Sequence, residues 1–539
     1  MTMLRKWLIL SHRYLGIALG LLIVVWFASG IVMIYAGGMP RLSAEVRLEH
    51  LPPLDLSRVT IGPADAANRT GMDAADRITL ATVLERPAYR FGGRGATTVF
   101  ADTGEPLEEI SLAQARTVAS RFAGVPESRV EFVRTVTTPD QWTIGAGRLG
   151  PVHKFRVDDE ARTELYVSPS TAEVVLPTTW RTRTLAWFGP ITHWFYFAPL
   201  RFNQPLWYRT VVWSSGIACV VAILGLVLGV IRFRRTRPFN LAGAIPYTGW
   251  MRWHYVTGVV FGVFTLTWAY SGLLSMEPFA WTNATGLEVD RDTMTGGPVD
   301  LAQFPALDAL AFARLSGEQP IKEIEFTRIQ DEAYYVVRLG HAASNAARER
   351  LHQPYPITGL AERDRLLVAA RSMTARTTPF SPESLVARLR TALPDVPIVE
   401  QAVLDEYDSY YYSRGNQRPL PVLRIKFADP AQTWVYVDPE MSQVLAEIHR
   451  LNRVERWLYS GLHSLDFSFW YGRRPLWDIG MILLSLGGLA TSAIGLCLGI
   501  KRLWRGALGV GLRAGSSLPV PRPVLPSDGP GLPARRSSQ

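Results

Sequence analysis

Four long apolar runs constrain the fold of this chain more than any other feature of its sequence. They lie near residues 8–36, 208–231, 254–276 and 477–500. Each is about 20 residues or longer and nearly free of charge, which is what a helix needs to cross the hydrocarbon core of a bilayer. The chain has 539 residues, of which 48% are hydrophobic and 17 are tryptophan. The sequence therefore predicts a membrane protein with four spans.

The charged residues beside these runs predict the orientation of the chain. The sequences MTMLRK (1–6), RFRRTR (232–237) and KRLWR (501–505) lie on one side if all four runs span the membrane. Positively charged flanks mark the cytoplasmic side. The first run is too long for a signal peptide and no A-x-A site follows it, so we expect an uncleaved span. Both termini are then cytoplasmic, and the two long segments between spans are extracytoplasmic.

The domain organisation follows from this topology. The outside segments show alternating strand patterns and turn signals, which indicates folded domains. The Gly/Pro/Ser/Arg-rich end of the chain is predicted to be a disordered cytoplasmic tail. In order, we expect a first span with its N-terminus (1–36), an outside region (37–206), a second span (207–232), a cytoplasmic loop (233–250), a third span (251–276), a second outside region (277–475), a fourth span (476–501) and the tail (502–539).

The two halves of the chain repeat one plan. The sequence HRYLGIALGLLIVVWFASGIVM, from His12, aligns with HYVTGVVFGVFTLTWAYSGLLS, from His254, at an offset of 242 residues. Toward the end of each half the offset is 270, and residues 155–174 lie over 425–444. Halves with the same topology are expected to be related by a two-fold axis along the membrane normal. The predicted fold class is an α-helical bundle of four spans in two parallel repeats, with extracytoplasmic α+β domains.

Each predicted span carries two glycines one helical turn apart. Small residues at this spacing allow helix backbones to approach closely, so helix packing is the simplest interpretation. The pairs are Gly16/Gly20, Gly225/Gly229, Gly258/Gly262 and Gly495/Gly499.

Four of the nine histidines occupy equivalent positions in the two halves. His12 matches His254 at the start of spans one and three, and His193 matches His463 in aromatic segments just outside spans two and four. The two-fold axis would bring the members of each pair together, one pair at each membrane face. The remaining histidines show no such pairing: His50, His153, His341, His352 and His449.

Two facing imidazoles suit a haem better than a zinc ion. Zinc needs four ligands, and no Cys, Asp or Glu recurs beside these histidines. A haem needs two axial ligands and an apolar slot. We predict that His12 with His254, and His193 with His463, are the axial ligands of two haem irons. The alternative is that the histidines lie at the membrane interface and keep their polar tips near the lipid headgroups.

Two arginines and the cysteines bear on how a haem would be held. The recurring Arg183 and Arg453 are candidate partners for haem propionates, although surface arginines are more often simply solvated. The two cysteines, Cys219 and Cys497, lie inside spans, and no C-x-x-C-H attachment motif is present. The hypothesis is therefore two b-type haems.

The outside segments resemble a known domain. VFADTGEPL (99–107) and VYVDPEMSQVL (435–445) look like the strand-turn signature of PepSY domains. LYVSPSTAEVV (165–175) departs from it, with Ser168 in place of the usual Asp and Glu173 after Ala instead of Gly. With HRYLG opening the first span and WLYSGLHSLDF before the fourth, residues 1–505 resemble the PepSY-associated transmembrane-helix family.

The resemblance implies a function in iron uptake. Similar members of the family include iron-regulated inner-membrane proteins and FoxB-type ferric-siderophore reductases with two membrane haems. It implies electron transfer across a bacterial inner membrane to a ferric siderophore or another ferric chelate in the periplasm, and hence a ferric-chelate reductase. The implied partners are the lipid bilayer, the ferric chelate and an electron donor, with no nucleic acid.

The chain offers no flavin or nicotinamide site of its own. The predicted cytoplasmic loop has only about 20 residues, and GVGLRA (509–514) has neither a preceding strand nor a βαβ unit around it. Electrons would therefore come from quinol or from a separate reductase.

Two other classes of function fit parts of the sequence. A haem-free scaffold or sensor, whose PepSY-like domains bind peptides or envelope proteins, would use the spans and the outside regions but would give the paired histidines no role. A permease would agree with parallel repeats. However, four spans make a thin transporter, and none carries Asp, Glu, Lys or Arg in its middle.

Overall fold

The structure is a computed structural model. It describes residues 3–515 except 72–76, 93–96, 145–149, 235–239, 283–285, 318, 341–364 and 413–417. His341, His352 and most of the predicted tail lie outside the described residues.

The described chain combines long helices with short helices and fifteen strands. The helices are α1 (Met3–Ala36), α2 (Ala44–His50), α3 (Pro63–Thr70), α4 (Leu112–Ala123), α5 (Trp180–Ala186), α6 (Ala198–Phe202), α7 (Gln204–Arg232), α8 (Leu241–Ala244), α9 (Gly249–Leu274), α10 (Arg291–Thr295), α11 (Ala309–Ser316), α12 (Pro382–Ala392), α13 (Arg450–Arg456), α14 (Leu462–Ser464), α15 (Ser468–Tyr471) and α16 (Leu476–Gly515). The strands are β1 (Ile78–Val83), β2 (Arg86–Phe91), β3 (Thr97–Phe100), β4 (Val130–Val136), β5 (Val152–Val157), β6 (Glu164–Ser168), β7 (Glu173–Thr178), β8 (Ile321–Ile329), β9 (Glu332–Leu339), β10 (Arg365–Ala369), β11 (Thr374–Arg376), β12 (Ile398–Leu404), β13 (Val422–Phe427), β14 (Trp434–Asp438) and β15 (Gln443–Ile448).

Four of these helices are long and apolar enough to cross a membrane, as the sequence predicts. They are α1, α7, α9 and the part of α16 up to Arg505. The last helix continues to Gly515, past residue 501 where the tail was predicted to begin. No proline, which would break the helix, occurs in this stretch before Pro519. GVGLRA (509–514) therefore lies within a helix and not after a strand.

The four long helices form a closed bundle in which α1 and α9 each pack against both α7 and α16. Four glycines lie at these helix contacts. A methyl group at Gly499 would approach Ile17 to 2.6 Å, and one at Gly262 would approach Leu226 to 2.9 Å. Similar close approaches occur at Gly20, beside Leu496, and at Gly229, beside Val259. Small residues allow the helices to pack this closely.

Three antiparallel sheets lie beside the bundle, at the end where α1 finishes; we call this end the sheet end and the other the far end. The largest sheet has seven strands in the order β11-β10-β9-β8-β1-β2-β3. Its central pair, β1 and β8, comes from the two different outside regions, and Ile78 lies opposite Phe326. The two regions predicted as separate units (37–206 and 277–475) therefore share one sheet.

The two smaller sheets, β4-β5-β6-β7 and β12-β13-β14-β15, each follow a helix. The sequence predicts such a helix before the strands, and α4 shows why it forms there. Ser111 caps its first turn in a capping box with Gln114, and Gly124 ends it at a φ of 63°. Its buried alanines, Ala115 and Ala119, face the core of the sheet.

The turns that resemble PepSY signatures keep one geometry in both halves. Ala172 and Ser442 adopt φ values of 53° and 51°, a left-handed conformation that favours glycine. Ser168 accepts a hydrogen bond from a backbone N–H of its turn, as Asp438 does in the second half. The serine that departs from the signature therefore still caps its turn.

Half-buried ion pairs join the small sheet of the first half to the seven-stranded sheet. Arg47 on α2 contacts Glu173 at 3.1 Å and Glu323 at 2.7 Å, and Arg90 contacts Glu173 at 2.8 Å. Burial alone would raise the pKa of Glu173, but Arg90 and Arg47 more than offset this and lower it to about 2. The Glu173 carboxylate therefore stays charged and links the two sheets.

We expect Glu173→Gln to lower the free energy of unfolding by about 2 kcal/mol at pH 7, because it leaves two half-buried guanidinium groups without their shared carboxylate. Since the folded-state pKa lies below the ordinary value of 4.5, this stabilisation is complete above pH 4.5 and is lost as the pH falls toward 2. Thermal unfolding in detergent at pH 7 and pH 3 should show the two proteins converging at the lower pH.

Glu131→Gln is the matched control for this change. Glu131 contacts Arg156 at 3.1 Å, but both side chains are more than half exposed, and such surface pairs stabilise proteins little. Equal destabilisation by the two substitutions would contradict a specific role for Glu173.

Candidate functional site

The first pair of histidines lies at the far end of the bundle. His12 on α1 and His254 on α9 face each other with ring centroids 6.3 Å apart. The Nδ1 atom of His12 lies 3.0 Å from the carbonyl oxygen of Val221 on α7. The Nδ1 atom of His254 lies 3.1 Å from the carbonyl oxygen of Thr491 on α16. All four helices therefore contribute to this site.

These carbonyl contacts define the tautomer of both rings. A carbonyl oxygen can only accept, so Nδ1 carries the proton and donates it. In the neutral imidazole the lone pair is then on Nε2, the nitrogen that remains able to bind a metal. Hydrogen bonds of this kind orient ligating histidines and make them better ligands.

Glycines provide the space in which the far-end imidazoles lie. Gly225 is one turn after Val221, and a methyl group there would come within 2.9 Å of Cε1 of His12. Gly495 is one turn after Thr491, and a methyl group there would come within 2.8 Å of Cε1 of His254. The missing side chains therefore allow each ring to reach a backbone carbonyl.

The second pair lies at the sheet end. The ring centroids of His193 and His463 are 6.1 Å apart. Each histidine follows a short π-helical segment, Trp187–Ile191 in one half and Trp457–Gly461 in the other. Such wide turns are rare and frequently occur at functional sites.

Two serines of the long helices orient this second pair. Nδ1 of His193 lies 3.0 Å from Oγ of Ser29, and Nδ1 of His463 lies 2.9 Å from Oγ of Ser271. Both hydroxyl groups donate to a carbonyl of their own helix, at 2.7 Å from Ser29 and 3.2 Å from Ser271. The hydroxyl oxygens are therefore acceptors for the rings, which again places the lone pair on Nε2.

Burial favours the neutral form at the sheet end. It lowers the pKa of His193 to about 3, and the neighbouring His463 adds to the effect. Neutral imidazole is the form that binds metals.

The spacing of the two imidazoles in each pair is compatible with one metal atom between them. Two imidazoles that share a metal through Nε2, at about 2 Å each, have ring centroids about 6 Å apart. Both pairs show this spacing. Among the described residues, no group of three or more His, Cys, Asp or Glu side chains is arranged to hold a metal ion. Two ligands are enough for a haem but too few for zinc.

The described contacts of the two predicted propionate partners are with the sheets and not with the histidine pairs. Arg183 donates to Thr178 and to the carbonyl of Arg162, both at 2.8 Å. Arg453 donates to the carbonyl of Gln432 at 2.8 Å. Both guanidinium groups therefore tie a sheet to the helix that leads toward the membrane, and their role in propionate binding stays a prediction.

Sequence reasoning missed the residues that hold the histidines. Ser29 and Ser271 recur at the offset of 242, and Gly225 and Gly495 recur at the offset of 270. The recurrence was visible, but helix packing explained the glycines equally well.

Comparison with known families agrees with this architecture. The model of the PepSY-associated TM region matches residues 9–363. The chain belongs to this family. The prediction of the family from its motifs is thereby confirmed, and with its four apolar helices this PepSY-associated protein is a membrane protein. The match includes His12, His193 and His254. None of the curated proteins compared with the chain matches it.

Proposed function

We propose that this PepSY-associated protein is a di-haem electron-transfer protein of the bacterial inner membrane, which reduces a ferric siderophore or another ferric chelate in the periplasm. The observation that carries the proposal is the arrangement of its histidines. Four imidazoles form two facing pairs, and an acceptor holds each Nδ1 atom. An interfacial role would explain the position of one histidine but not this fourfold arrangement.

The two pairs are suitably placed to carry charge across a membrane. His12 and Ser29, which binds His193, are separated by 17 positions of α1, or about 26 Å at the rise of an α-helix. A bilayer core is about 30 Å thick, so one pair lies near each face. Ile23 and Phe27 are buried between the two levels, and Trp268 packs against them.

The residues of each pair decide what kind of chemistry a bound haem supplies. A haem held by two histidines would supply electron transfer and would not be suited to binding oxygen or substrate. His12 with His254, and His193 with His463, would provide these ligands. The chain itself orients the rings through Val221 and Thr491 at the far end and through the two serines at the sheet end.

The proposed topology is that of two parallel repeats with cytoplasmic termini. Corresponding residues of the two halves make corresponding contacts, as Gly225 does with His12 and Gly495 with His254, which supports a two-fold relation. The basic flanks at the far end support a cytoplasmic location of that end. The sheets would then be periplasmic, and electrons would enter at the far end from quinol or a separate reductase.

A haem-free scaffold or sensor is the second candidate, and one observation favours it. Strand β12 is an edge of its sheet and exposes Val399 and Val403, with 69% and 48% of their surfaces accessible. An open edge of this kind can pair with an extended peptide. A permease is disfavoured, because the pairing of β1 with β8 joins the two halves that would have to move apart.

The test is the visible spectrum of the protein, purified in detergent after expression with ample haem. Sharp low-spin α and β bands after reduction with dithionite, with about two haems per chain, are expected. Oxidation of the reduced protein by an added ferric siderophore would support the proposed acceptor. A protein that stays colourless after haem reconstitution would contradict the proposal and favour the sensor or scaffold.

A further inference from the structure

A buried arginine, seven residues before His463 in the chain, leaves part of its hydrogen-bonding capacity unused. Arg456 is the last residue of α13, directly before the π-helical segment that leads to His463, and its side chain is only 10% exposed. Its Nε donates to the carbonyl of Ser409 at 3.0 Å, and its Nη2 donates to the carbonyl of Asp466 at 2.6 Å. Its Nη1 is buried and has no hydrogen-bond partner among the residues that the structure describes.

The nearby carboxylate does not use the remaining nitrogen. The contact between Nη2 of Arg456 and Oδ1 of Asp466 is 3.7 Å, which is too long for a hydrogen bond. Oδ2 of Asp466 accepts instead from the hydroxyl group of Tyr412 at 2.8 Å. A buried N–H without an acceptor is unfavourable, so this nitrogen indicates a partner that the described residues do not provide.

Aromatic rings hold the guanidinium group in place. Its carbon atom lies 4.5 Å from the ring centroid of Tyr412 and 4.9 Å from that of Trp457. Contacts of this kind attract the cation to the ring faces and restrict its movement. The feature is specific to the second half, because Ala186 and Tyr196 occupy the positions that correspond to Arg456 and Asp466.

We propose that Nη1 of Arg456 binds a carboxylate of the haem held by His193 and His463. The inference rests on the proposed function, because the carboxylate is a propionate of that haem. Arginine is suited to this role because its charge is permanent and its planar donors match a carboxylate. Arg453, the partner predicted from sequence, already donates through Nη1 to the carbonyls of Gln432 and Ile448.

The test compares haem with haem dimethyl ester, in which no free carboxylate remains. Both are added to haem-free protein carrying His254→Ala, so that only the sheet-end site is measured. We expect Arg456→Gln to weaken haem binding by about 10- to 100-fold, as for the loss of a hydrogen bond between charged groups. The ester should bind the protein that retains Arg456 as weakly as haem binds the Arg456→Gln variant. The substitution should not weaken ester binding further. Arg450→Gln, at the exposed start of the same helix, is the control and should leave the preference for free haem unchanged.

Each other outcome has a distinct meaning. If Arg456→Gln weakens binding of the ester as much as it weakens binding of haem, the arginine only holds Asp466 and Tyr412 in place, and the proposal is wrong. If Arg456→Gln does not fold, the ester is compared with haem in the protein that retains Arg456, where equal affinities would overturn the proposal. If no haem of either kind binds, the proposed function itself fails, and the inference fails with it.

Discussion

Replacing His254 with alanine is expected to remove one of the two haems and leave the other in place. The far-end site loses a ligand that comes from α9, while the sheet-end pair keeps its own contacts with Ser29 and Ser271. Haem content should fall from about two per chain to about one, because a site with one remaining imidazole no longer fills both axial positions. Haem analysis and a redox titration of the purified variant measure this directly.

The pairing makes a stricter version of the same test possible. His12→Ala should give the same spectrum as His254→Ala, and the double variant should lose no more haem, because both residues serve one site. His463→Ala should remove the complementary spectral component. His153, which lies on β5 with its Nδ1 atom 3.0 Å from Thr135, is the control, and its replacement should leave both haems bound. Partial loss of both haems in every variant would instead indicate general destabilisation.

The sequence was sufficient to predict the spans and the pairing of the histidines. Long apolar runs leave few alternatives to a helix, and two constant offsets bring the histidines together if the halves are related by a two-fold axis. The structure places His12 beside His254 and His193 beside His463, as that reasoning expects. Their role as ligands stays a prediction.

Contacts between distant segments were beyond this reasoning. The pairing of β1 with β8 joins residues about 240 positions apart, and strand periodicity shows which face is buried but not which strand is the neighbour. The partners of the arginines were hidden for the same reason. Arg183 and Arg453 recur in the sequence because they tie each sheet to its helix, whereas the partly unpaired Arg456 does not recur at all.

Gly225→Ala is expected to disable the far-end site while the bundle stays folded. The added methyl group would lie 2.9 Å from Cε1 of His12, well inside the carbon–carbon contact distance of about 3.5–4.0 Å. The ring cannot simply retreat, because Nδ1 is bound to the carbonyl of Val221 one turn earlier. Overpacking of this kind costs about 1–3 kcal/mol, which corresponds to haem binding about 5- to 150-fold weaker at this site.

Two matched glycines separate this effect from ordinary helix packing. Gly216 lies on the same helix with no atom within 4 Å of an added methyl group, so Gly216→Ala should be neutral or stabilising. Gly272, at 3.8 Å from Cε1 of His463, has room for a methyl group, and its replacement should leave the sheet-end haem bound. If Gly225 served only to bring helices together, as Gly229 does beside Val259, Gly225→Ala would weaken both haem sites and lower thermal stability. Selective loss of the far-end haem, with the sheet-end spectrum retained, is therefore the result that identifies Gly225 as part of the site.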